Sequence, residues 1–174
     1  MRLTQYPDRT SIRNEATVQL PRNEAAGGDI FLDVVALPPD YPEDVEREIP
    51  SPTPPRLGIE KDEDGKPIFD PETGRPVVRY NEADADFQRK RQRAQTLQTV
   101  KYAVDALKEG QIEFEADTRD LEGAEYYEAV LREMREYGFS LGDVAKLCAS
   151  AQRVSGLSED EIEKATEGFF MTGS

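Results

Sequence analysis

Apolar residues follow two different rules along this chain. Before residue 80 they come in short bursts separated by prolines and glycines; after it they recur every three or four positions. In the first regime, Ala16 to Leu20 (ATVQL) alternates as a short strand does. Gly27 and Gly28 supply a turn, and Asp29 to Leu37 (DIFLDVVAL) is the strongest strand signal in the chain. The expectation is a two-stranded hairpin, which by itself is marginal in water and needs cover for its apolar face. In the second regime, a helix is expected over Glu82 to Glu109. Asn81 would cap it, Phe87, Ala94, Leu97, Val100, Val104 and Leu107 form its stripe, and Gly110 stops it. Gln111 to Ala116 reads as a short extended connector with Ile112, Phe114 and Ala116 on one face. A second helix is expected over Gly123 to Tyr137, its stripe being Tyr127, Val130, Leu131, Met134 and Tyr137. Ser140, with Asp143 three residues on, caps a third helix whose Leu141, Val144, Ala145, Leu147, Cys148 and Ala151 face inward. Ser158 and Glu161 form a capping box for a fourth, carrying Ile162, Ala165 and Phe169.

Proline sharpens this division. All twelve prolines lie at or before Pro76, and proline is excluded from helix interiors. Glu43 to Glu48 has room for one or two helical turns, and Pro50, Pro52, Pro54 and Pro55 predict an extended linker. Asp64 to Phe69 (DGKPIF) is echoed by Thr73 to Val78 (TGRPVV), which predicts a β-ribbon turning at Asp64-Gly65 and Thr73-Gly74. The fold class expected is α+β, mainly helical. A small helical bundle in the C-terminal half joins a short β-hairpin and a proline-rich extended segment in the N-terminal half. The organisation expected is an arm and hairpin over 1–37, a linker and ribbon over 38–80, a helical domain over 81–170 and a tail over 171–174.

Composition then narrows the chemistry. The 174 residues include 36 acidic and 22 basic ones, a net charge of −14, which disfavours nucleic acid and anionic membranes as partners. Met1 to Arg22 has no apolar run, so no secretory signal is expected, and no stretch approaches the roughly 20 apolar residues of a membrane span; a cytoplasmic setting is expected, with a virion as the alternative. Cys148 is the sole cysteine and histidine is absent, so an imidazole or thiolate zinc site and a serine triad cannot be assembled within one chain. The carboxylates Asp62, Asp64 and Asp70 lack the glycine and glutamate spacing of a calcium loop. No enzyme activity, cofactor or metal is expected. Arg89, Lys90, Arg91 and Arg93 read as a solvated helix face paired with Asp84 and Asp86.

What remains is protein binding. The partner surface expected is the apolar strand, Ile30, Phe31, Leu32, Val34 and Val35, together with the aromatic end Phe169, Phe170 and Met171. A strand edge accepts another strand, and buried aromatics dominate interface energies. The competing expectation is that both pieces pack on the protein's own helices.

The order of features resembles a known family. PPDYPED and PSPTPPR follow the strand pair, then DGKPIFDPETGRP, then YYEAVLREMREYGFSLGDVAKL and SEDEIEKATEGFF. This layout is similar to that of the tail assembly chaperone-like proteins encoded in tailed-phage and prophage structural gene clusters. The resemblance implies a helical, non-enzymatic protein in the bacterial host cytoplasm that binds a phage tail protein, tape measure or tail tube, during assembly. Two other roles fit the composition: a structural component of a virion or similar assembly, where self-association would enter, and an acidic regulator of a basic protein.

Overall fold

The computed structural model describes residues 15–22 and 28–156. Strand β1 (Glu15–Leu20) pairs antiparallel with β2 (Ile30–Val35), with Glu15 opposite Val35 and Leu20 opposite Ile30. Helix α1 (Tyr41–Glu48) follows, then β3 (Arg56–Ile59), β4 (Val78–Tyr80) and α2 (Ala85–Asp105). A 3-10 turn at Glu115–Thr118 leads to α3 (Gly123–Glu136) and α4 (Leu141–Val154). The fold is α+β, as the hydrophobic pattern requires. No helix among the described residues is long and apolar enough to cross a membrane.

The chain divides into two compact units, 1–50 with 95–174, and 51–94. In the first, the hairpin lies against α4, and its alternation sends Val18, Leu20, Leu32 and Val34 into the interior. They share it with Val100, Val130, Met134, Val144 and Leu147. The hairpin is therefore not left alone in water. Polar groups fix how it docks. The Arg22 guanidinium grips Asp143 through two bonds of 3.2 and 2.9 Å while lying over the Phe139 ring, and Lys146 Nζ donates to the Gln19 carbonyl. Asp143 thus serves twice, because it also closes the capping box with Ser140 that starts α4.

The second unit contains a ribbon of three extended stretches. β3 pairs with β4, and the stretch between them folds back through Lys61 opposite Pro67 and Phe69 opposite Pro76. The expected glycine turns are present: Gly65 and Gly74 have φ of 79° and 64°, where a side chain would strain the backbone. The carboxylates that mimic a calcium loop are occupied as turn formers. Asp62 accepts from the Lys66 amide, and Asp70 from those of Glu72 and Thr73.

Several expectations shift. Helix α2 begins later than Glu82, because Asp84 rather than Asn81 accepts from the Phe87 amide as its cap. It ends at Asp105, not Glu109, because Ala106 to Lys108 leaves the helix to bond with β2. The 3-10 turn interrupts the expected connector, although Phe114 and Ala116 are buried as the pattern implied. Leu141 is exposed, since at the first position of α4 it lies outside the buried stripe. The fourth helix, Ser158 to Phe169, lies outside the described residues.

Candidate functional site

Strand alternation splits the apolar residues expected to bind a partner. Leu32 and Val34 belong to the core, Ile30 and Val35 are half-buried, and Phe31 is 61% exposed. Phe169, Phe170 and Met171 lie outside the described residues.

The outer edge of β2, away from β1, is covered over part of its length. The Val35 amide donates to the Ala106 carbonyl, that of Lys108 to the Asp33 carbonyl, and that of Asp33 to Gln111 Oε1. The same alternation points the Phe31 N–H and C=O to this edge, one pleat further on, where neither has a partner among the described residues. Here the covering segment turns away from the strand. It leaves a groove of about 410 Å³ lined by Ile30, Leu32, Ile112, Phe114, Met134, Tyr137 and Phe139. Its charged lining residues, Glu113 and Glu133, are both acidic. Glu133 is held in place by accepting the amides of Glu115 and Ala116 at 2.7 and 2.9 Å.

Tyr137 departs from its expected place. Instead of extending the buried stripe of α3 it is 80% exposed on the groove wall. The cause is local: Tyr137 is the C-cap, and Gly138 at φ 85° turns the chain away from the helix.

A second constellation was not visible in the periodicity. Lys101 is buried on α2, with Nζ 2.9 Å from Asp105, 3.1 Å from Glu48 and 3.0 Å from the Tyr127 hydroxyl. The Tyr41 and Tyr127 rings flank it at 5.2 and 4.9 Å. Burial alone would lower the Lys101 pKa, but the hydrogen bonds its ammonium donates to Tyr127, Asp105 and Glu48 outweigh it and raise the value. The amine stays protonated at neutral pH, so it is not poised as a nucleophile. Tyr41 donates to Asp105 at 2.6 Å, and burial and that carboxylate raise the phenol's pKa as well. The network ties α1, α2 and α3 together. The one sequence signal for it is the Lys101–Asp105 spacing inside the apolar run of α2. Cys148 is buried too, and burial pushes its thiol up to about 12, away from the thiolate form. Comparison of the chain with protein-family models, curated proteins and solved structures found no match.

Proposed function

We propose that this protein is a non-enzymatic binder of the phage tail assembly chaperone type, and that a segment of a tail protein, tape measure or tail tube, lies in the groove between β2 and α3. The observation that carries the reading is the Phe31 edge, unpaired among the described residues, beside an apolar groove with acidic lining residues. A free edge supplies main-chain hydrogen bonds, and the groove supplies pockets for alternate side chains. Tyr137 is the kind of exposed aromatic that anchors an interface. The acidic lining favours an apolar segment flanked by lysine or arginine.

Co-expression with the tape measure or tail tube protein tests this. A soluble complex is expected, and Tyr137→Glu should weaken it at least tenfold, about 1.4 kcal/mol. Phe31→Pro removes the edge N–H and should weaken it too, while Phe31→Ala keeps that donor and loses less. A tail protein that stays as insoluble with the chain as without it sinks the reading.

The exposed ribbon over Arg56 to Phe69 favours a second reading, a structural component of the particle laid along its neighbours. Recovery of the chain in finished particles distinguishes the two.

A further inference from the structure

The ribbon exposes Ile68 on one face and a larger apolar group on the other. Directly paired residues share a face, so the pairs Ile59–Val78, Phe69–Pro76 and Arg56–Tyr80 fall together, with Lys61. Ile59, Phe69 and Tyr80 are 43%, 56% and 47% exposed. The charged residues of this face, Arg56 and Lys61, are both basic. Across residues 51–94 nine basic and nine acidic residues cancel, so the whole −14 lies on the other unit. That unit carries the apolar groove whose charged lining residues are acidic. Two apolar surfaces of opposite local charge, both open among the described residues, thus sit on one chain.

We infer that the ribbon face of one copy docks in the β2–α3 groove of a second copy, so that the protein self-associates head to tail. Charge decides the geometry. A symmetric contact between two groove-bearing units would face one acidic unit with another, and a contact between two ribbon faces would oppose basic residues. Ribbon to groove is the arrangement in which apolar surfaces meet and charges attract. Such a contact is heterologous, so it propagates into a ring or an open chain. The inference rests on the groove being the docking site proposed above. It makes the self-contact a cover that a tail protein must displace.

Sedimentation velocity on the full chain alone tests it, so failure here leaves tail-protein binding to be judged separately. The protein should sediment as species larger than a monomer, growing with concentration. Phe69→Glu spoils the ribbon face and Tyr137→Glu the groove. Both side chains are exposed, so circular dichroism should be unchanged. Each variant alone should be monomeric, because each lacks one of the two surfaces. Their equimolar mixture should give a dimer and nothing larger, since one intact groove and one intact ribbon remain. A native chain that is monomeric at every concentration overturns the proposal. So does a variant that still assembles alone, or a mixture that stays monomeric.

Discussion

Lys101 shows how much a single residue's meaning depends on its surroundings. Lysine side chains are ordinarily solvated, yet that of Lys101 is only 4% exposed and meets two carboxylates and a phenol. Removing one partner from such a group leaves a buried charge, whereas replacing the charge by an apolar side chain does not. Asp105→Ala should therefore lower stability by about 3 kcal/mol, and Lys101→Met by less, because the carboxylates it leaves behind reach solvent and Asp105 keeps its bonds from Tyr41 and Tyr127. Thermal melts of the two variants check the order, and the reverse order contradicts the account. Asp143 gives a pH dependence. Burial pushes its pKa up, but Arg22 and Ser140 outweigh that and hold it below the ordinary 3.8. A depressed carboxylate stabilises the fold above its unfolded pKa, and this is lost as pH falls through the folded value. Melting temperature should drop below pH 4 in the native chain and less steeply in Asp143→Asn, which starts lower at pH 7.

Among the elements, the ribbon and α3 differ in how they are held. The ribbon's ends meet, with the Asn81 amide donating to the Pro55 carbonyl at 2.8 Å. Residues 56–69 are exposed throughout, so the ribbon contributes little buried surface. Replacing Arg56 to Tyr80 by a short glycine-serine linker should leave helical circular dichroism and melting temperature nearly unchanged. A large loss of helix would refute that independence. The start of α3 is less tolerant. Gly123 has φ of 53°, and a Cβ there would lie 3.3 Å from the Glu48 carbonyl oxygen. Gly123→Ala should destabilise by about 1 kcal/mol or more, measured by urea denaturation.

At the scale of the molecule, charge and apolar surface are distributed unequally. The neutral unit over 51–94 buries one large side chain, Phe87, and exposes Leu57, Ile59, Ile68, Phe69 and Tyr80. The other unit holds the rest of the core and the net negative charge. Excision of the ribbon should abolish concentration-dependent assembly while sparing tail-protein binding. Binding of the tail protein by the excised form, measured by calorimetry, should be equal to or tighter than that of the native chain, because no second copy competes. Weaker binding would mean that the ribbon itself contacts the partner.

The local elements were legible because their causes are local. The strand alternation of ATVQL and DIFLDVV, the Ser140–Asp143 box and the glycine turns of the ribbon each depend on residues a few positions apart, and each appears where the pattern puts it. The absence of histidine likewise bounds the chemistry from composition alone. What only the tertiary structure decided depends on residues far apart in the chain. Asp33 meets Gln111 across 78 positions, and Arg22 meets Asp143 across 121. The backbone bonds of Val35 to Ala106 and of Lys108 to Asp33 end α2 early by drawing Ala106 to Lys108 onto β2, and Arg22 with Asp143 seats the hairpin on α4. The groove exists because the covering segment departs at Phe31, and the exposure of Tyr137 follows from where Gly138 turns the chain. Periodicity reports which side of an element is apolar, but the neighbour that covers it, or leaves it open, is set by how distant elements pack.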